Sequence, residues 1–229
     1  AGIDAGVVGD ATTHDDRGFV VVGDRTISNF DGKGLGTVGL QEILDHSINT
    51  GAVFVSQQLG TGAFRRYLSE LGFGRRTGIE LPNESSGLVE NLDKGGEVEI
   101  ATASFGQGIA VTPIQMTTAL GTIANGGVLL KPHIVDRLEI LGGADRVTEP
   151  EVMRRVFKEA TSQKITDLLV NVVDNALLGG TVALPHYRVA AKTGTAQLPN
   201  RERGGYYDDR FLHTFFGYLP GSEQKFLTF

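Results

Sequence analysis

The 229-residue chain is 40% hydrophobic and 21% charged, which suits one large domain or two small ones and excludes wholesale disorder and fibrous repeats. Its 21 basic and 27 acidic residues leave a net charge of −6 with no basic block, which argues against nucleic-acid binding. The lack of cysteine removes disulfides, thiol nucleophiles, zinc–thiolate sites and iron–sulfur clusters, while 32 glycines point to many turns and not to a helix bundle.

No apolar run approaches the roughly 20 residues a membrane helix needs. The opening Ala1-Gly-Ile-Asp-Ala-Gly-Val-Val8 reads as a helix end breaking into a loop. The closing Lys225-Phe-Leu-Thr-Phe229 reads as the middle of a strand. Both ends read as cuts, so the expectation is a segment of a longer protein.

In chain order, Phe19–Val22, Gly23-Asp24 and Arg25–Asn29 predict a β-hairpin with a two-residue turn. Thr37 is placed to cap a short helix carrying Leu40, Ile43 and Leu44. A second helix is predicted from about Asn49 to Gln58, stopped by Gly60, and a third carries Phe64, Tyr67, Leu68 and Leu71 and ends at Gly72. Residues 74–100 are punctuated by Gly, Pro and Asn and predict mostly irregular structure. Thr112-Pro113 opens a helix that Asn125-Gly-Gly127 closes, and Val128–Ile140 reads as strand broken at Lys131-Pro132. Thr161 or Ser162 is the expected cap of an amphipathic helix through Ile165, Leu168, Leu169, Val172, Val173 and Ala176. Three strands follow, at 187–193, 212–219 and from 226 onward. Helices fill the middle and strands cluster at the two ends, which predicts an α+β or α/β core with its sheet assembled from both ends.

Several chemical readings fail. The five histidines (14, 46, 133, 186 and 213) show no metal-ligand spacing and read as surface or structural residues. Asp45-His46-Ser47 are consecutive and cannot converge as a triad. Lys192-Thr193 lacks the upstream glycines of a phosphate loop, and Gly-x-Ser-x-Gly is absent.

Two pieces remain. An apolar strand runs into Lys192-Thr-Gly-Thr-Ala196. There Lys192 offers a fixed cation, Thr193 and Thr195 offer hydroxyls for a carboxylate, Gly194 admits a substrate backbone, and the Thr195 amide can donate to an oxyanion. Ser47-Ile-Asn49 lies between two helices, where Ser47 can relay a proton and Asn49 can hold a substrate amide, although helix capping is the commoner use of such residues. Ser-x-Asn followed by Lys-Thr-Gly matches two of the three signatures of penicillin-recognising serine acyl-transferases.

With these motifs the chain resembles the transpeptidase domain of class B penicillin-binding proteins, of division type. Further runs agree in order: Gly23-Asp-Arg-Thr-Ile-Ser-Asn-Phe-Asp31, Gly36-Thr37, His46-Ser-Ile-Asn-Thr-Gly51, Ser104-Phe-Gly-Gln-Gly108 with Thr112-Pro-Ile-Gln115, and Ala124-Asn-Gly-Gly127 with Lys131-Pro132. The resemblance implies a single but incomplete domain over 1–229, with the N-terminal nucleophile helix and a C-terminal strand and helix expected outside it. Its expected fold is α+β, of the penicillin-binding transpeptidase and serine β-lactamase kind, with an antiparallel sheet flanked by helices and an all-helical side. The strand 187–193 should lie beside 212–219, the helix 162–177 on one face, and the helix 112–125 in the all-helical side. The run 104–108 reads mainly as packing. The polar stretch 198–210 reads as a gating or solvated loop.

The family's nucleophile motif, Ser-x-x-Lys, is expected before Ser47 and is not there. One match exists, Ser222-Glu-Gln-Lys225, but it follows the Lys-Thr-Gly strand and sits in an expected hairpin turn, so it is rejected. The nucleophile is therefore expected upstream of Ala1, and the segment alone is expected to give no turnover and no covalent penicillin label. The resemblance assigns Ser47, Asn49 and Lys192 to catalysis and Thr193, Gly194 and Thr195 to substrate binding. It implies peptidoglycan stem peptides and β-lactams as ligands, with no cofactor and no metal. It also implies division or elongation membrane proteins as partners, and a place on the outer face of a bacterial cytoplasmic membrane with the anchor outside this segment. A β-lactam sensor or non-catalytic relative is the alternative, and a serine β-lactamase is third.

Overall fold

A computed structural model describes residues 1–200, 202–221 and 226–229. Strands β1 (Thr13–Asp16), β2 (Phe19–Val22), β3 (Arg25–Ser28) and β4 (Gly36–Gly39) come first. Helices α1 (Leu40–Asp45), α2 (Asn49–Leu59), α3 (Thr61–Glu70), α4 (Glu90–Lys94), α5 (Glu97–Ser104) and α6 (Pro113–Ala124) follow. Short strands β5 (Val128–Leu130), β6 (Arg137–Leu138), β7 (Arg146–Val147) and β8 (Val152–Arg155) lead into α7 (Glu159–Asn171). The chain ends in β9 (Ala190–Pro199), β10 (Tyr206–Tyr218) and β11 (Leu227–Thr228).

The principal sheet is antiparallel in the order β11-β10-β9, and it comes from the C-terminal third alone. The expectation of a sheet built from both ends is corrected: β1 pairs with β4 and β2 with β3, so the N-terminal strands satisfy one another. On the principal sheet, Ala190, Phe216 and Tyr218 pack against Leu169 and Val170 of α7, as expected for that helix. The helix α6, expected in the all-helical side, instead bridges the two sides. Its Leu120, Ile123 and Ala124 join this sheet core, while Ile123 also packs with Leu59, Tyr67 and Leu71 at the ends of α2 and α3. The all-helical side is α2–α5. Val22 and Ile27 of the hairpin pack on Val53 and Ala101, while Leu92, Ile100 and Ala103 pack beneath Phe64 and Leu68 of α3.

Several local expectations shift for reasons of long-range bonding. Thr37 pairs with Asp15 inside β4, and the cap of α1 is Gly39, whose amide donates to the Glu42 carboxylate at 2.8 Å. The start of α7 is Glu159, not Thr161 or Ser162. Asp4, far back in the chain, accepts from the Lys158 amide and the Thr161 hydroxyl, both at 2.8 Å, and so caps the helix from a distance. Thr112 caps α6 as expected, in a reciprocal bond pair with Gln115. Residues 74–89 are irregular as expected, and the short helices α4 and α5 follow them; Gly96 caps α5, and its amide donates to Glu99 at 2.7 Å. The expected polar loop 198–210 is strand at its two ends, 198–199 in β9 and 206–210 in β10, with a register slip between the pairs Tyr206–Pro199 and Phe211–Gln197. The Ser222–Lys225 match lies outside the described residues.

Candidate active site

The bend between α1 and α2 is built by a helix ending. His46 caps α1, Ser47 N–H donates to Leu44 O at 3.3 Å and Ile48 N–H to Ile43 O at 3.0 Å. This is the Schellman pattern, whose residue after the cap takes the left-handed conformation and is usually glycine. Here it is Ser47, with φ of 52°. Ile48 is buried and fixes the turn, and α2 starts at once with Asn49. The Ser47 side chain is thus held at a sharp corner at roughly 1 kcal/mol of backbone strain.

Across from this corner lies β9. Alternation along the strand places Thr193 and Thr195 on one side and Lys192 and Gly194 on the other. A cleft of about 840 Å³ is lined by Ser47, Asn49, Thr193 and Thr195, together with Phe30 and Gln107. Lys192 stands behind Ser47, and its Nζ donates to Ser47 Oγ across 145 positions of sequence and to Thr193 O at 3.0 Å. Partial burial lowers the Lys192 pKa below the ordinary lysine value, opposed by the nearby negative charge of Asp45. Asp45 in turn accepts from Gln41 Nε2 at 2.7 Å, and the same amide donates to Leu168 O of α7 at 3.2 Å, which ties the corner to the sheet layer.

Asn49 Nδ2 donates to Ser28 O at 3.0 Å, which joins α2 to the hairpin; its Oδ1 has no protein partner among the described residues. That oxygen can accept from a ligand amide. Gly194 answers to its neighbour: a Cβ there would fall 2.5 Å from Thr214 Oγ1 on β10. β9 pairs only with β10 among the described residues, so its other edge is open to an extended ligand.

The wall of the cleft hangs on a residue that the sequence did not single out. Asp16 is only 2% exposed. Its carboxylate accepts from Thr50 Oγ1 at 2.7 Å, Asn29 Nδ2 at 2.9 and 3.0 Å, Gly18 N at 3.0 Å and Leu35 N at 3.0 Å. Asn29 Oδ1 then accepts from Thr50 N at 3.2 Å, in the first turn of α2. Burial pushes the Asp16 carboxyl up, but the hydrogen bonds from Thr50, Gly18, Leu35 and Asn29 outweigh it and hold the pKa below its ordinary value. His213, read from sequence as surface or structural, stands directly across from Thr195 in the register, with Nδ1 3.2 Å from Thr195 Oγ1. Asp16 is separated from Asn29 and Thr50 by 13 and 34 positions, so no local spacing signals the cluster.

The family described as "Penicillin binding protein transpeptidase domain" matches residues 1–229. Stage V sporulation protein D of Bacillus subtilis is 32% identical over 216 residues, covering 93% of this chain and 33% of that protein. Penicillin-binding protein PbpB of Mycobacterium tuberculosis is 33% identical over 192 residues, covering 81% of this chain and 28% of that protein. The chain therefore spans about a third of the length of these curated relatives. Among solved structures, penicillin-binding protein 3 of Mycobacterium tuberculosis in complex with aztreonam superimposes with a TM-score of 0.86 at 31% identity, covering 96% of this chain and 50% of that one. A corner serine bonded to a strand lysine, over the whole of a matching family and the fold of its solved members, has one reading: this chain belongs to the penicillin-binding protein transpeptidase domain family, in its class B branch.

Proposed function

We propose that this chain is the substrate-holding and proton-relay part of a peptidoglycan D,D-transpeptidase that β-lactams acylate, acting outside the cytoplasmic membrane. The observation that carries the reading is the Lys192 Nζ to Ser47 Oγ hydrogen bond beside a cleft lined by Asn49, Thr193 and Thr195. A stem peptide ending in D-alanyl-D-alanine lies along the open edge of β9. Asn49 Oδ1 accepts from its acyl-side amide, and the hydroxyls of Thr193 and Thr195 donate to its terminal carboxylate. The Thr195 N–H donates to the oxyanion as the carbonyl becomes tetrahedral.

The attacking hydroxyl belongs to a Ser-x-x-Lys serine upstream of Ala1, and its proton passes to the lysine of that motif as the oxygen bonds to the carbonyl carbon. As the carbon–nitrogen bond breaks, Ser47 passes its proton to the departing D-alanine nitrogen. Lys192, donating to Ser47 Oγ, replaces that proton. The ester is then resolved by an amine from a neighbouring stem peptide, which forms the cross-link.

A fluorescent penicillin tests this. The natural full-length polypeptide should take a covalent label and transfer an acyl group to an added amine, while residues 1–229 alone should stay unlabelled. A labelled band from residues 1–229 would place the nucleophile inside them. Binding without acylation by the full-length polypeptide would favour a non-catalytic relative instead.

The relay also sets a pH dependence. Lys192 must be an ammonium to replenish Ser47, and burial lowers its pKa from 10.5. The rate of acylation should therefore hold at neutral pH and fall as pH rises through a value below that of an ordinary lysine. An alkaline limb at or above the ordinary value would remove Lys192 from the proton path.

A further inference from the structure

The hydroxyl of Thr195 has one proton and two lone pairs. If that proton is to reach a ligand carboxylate, its other close partner must be a donor. That partner is His213, directly opposite on β10, with Nδ1 at 3.2 Å from Thr195 Oγ1. Two residues along, on the same face of β10, Phe211 lies beside the imidazole at a centroid distance of 6.2 Å, and it meets Phe30 from the cleft wall edge-on at 5.8 Å. The ring is therefore flanked along the strand. Nε2 has no protein partner among the described residues, so the protein places no competing demand on the tautomer.

We infer that His213 is a positioning residue for carboxylate recognition: its Nδ1–H donates to Thr195 Oγ1 and turns the threonine proton toward the ligand's carboxylate. The opposite tautomer would consume that proton and aim a lone pair at an anion. The inference deepens the transpeptidase reading and rests on it, since it needs a carboxylate-bearing ligand in the cleft. It assigns a part to a histidine outside the family signature residues, and the part is specificity. Ligands with a carboxylate gain from His213, and ligands without one do not.

The test uses the full-length polypeptide and two ligands, benzylpenicillin and its methyl ester. In His213→Phe, which keeps a flat ring beside Phe211 and removes both nitrogens, second-order acylation by benzylpenicillin should fall roughly five- to tenfold, as for loss of one hydrogen bond in a charged site. Acylation by the ester should change less than about twofold. His213→Asn, whose Nδ2 sits where Nδ1 did, should recover most of the loss. An equal loss for both ligands would show a merely structural role and overturn the inference, as would no loss for either. If the unaltered protein takes no label from benzylpenicillin, the transpeptidase reading itself falls and takes this inference with it.

Discussion

Replacing Ser47 with glycine should leave the fold intact, and even firmer, while acylation of the full-length polypeptide drops by about 10²- to 10⁴-fold, the range for loss of a general acid–base group. The two effects part because of the backbone. Ser47 occupies the left-handed position of a Schellman ending at φ of 52°, where glycine carries no steric cost. The melting temperature of Ser47→Gly should therefore equal or exceed that of the parent. Ser47→Ala should lose the same activity but keep the strain, so it should melt below Ser47→Gly. Lys192→Met should lose activity to a similar degree. The double variant Ser47→Gly with Lys192→Met should lose little more than either alone, because the two groups act as one relay. Losses that multiply would show that they work separately. A Ser47→Gly variant within a few-fold of the parent would sink the relay altogether.

That strain marks where the sequence stopped being legible. Lys192-Thr-Gly-Thr could be read because strand and site coincide there, and strict alternation sorts Thr193 and Thr195 from Lys192 and Gly194. Ser47 and Asn49 could be read as a pair on a bend. The handedness of the bend could not, since serine is an ordinary residue at a helix end and nothing local demands a positive φ. The same limit explains the misplaced caps. Thr161 has the chemistry of a cap, but Asp4 does that job from 157 positions away, so the helix starts earlier and Thr161 becomes one of the donors to Asp4. The helix α5 was hidden because its first turn is closed by Gly96 and Glu99, and glycine there reads as a breaker. His213 escaped because its meaning comes from register: only the pairing of β9 with β10 sets it opposite Thr195.

Asp16→Ala should be among the most damaging substitutions in the chain, with a loss of about 4 kcal/mol or more, because four donor groups lose a buried, charged acceptor together. Asp16→Asn should cost less, about 3 kcal/mol. One oxygen survives, but an amide group now faces N–H donors that the carboxylate satisfied. For a domain of this size each kcal/mol moves the melting temperature by roughly 2–4 °C, so either change is readable by calorimetry. The sign of the pH effect follows from the lowered pKa of Asp16. A carboxyl with a folded-state value below its unfolded one contributes stability that is present above the unfolded value and is lost as pH falls through the folded value. The gap in stability between the parent and Asp16→Asn should therefore be full at neutral pH and narrow in acid, as the parent's own carboxylate takes up its proton. A gap that stays constant into acid would mean that the cost comes from shape and not from charge. Activity should fall with stability for a structural reason. Thr50 and Asn29 hold the first turn of α2 through this carboxylate, and that turn carries Asn49 and backs the corner at Ser47. Near neutral pH and well below melting, Asp16→Asn should therefore still bind penicillin but acylate more slowly, with the loss concentrated in the chemical step. An Asp16→Asn protein with parental acylation kinetics would show that the corner keeps its geometry without the carboxylate.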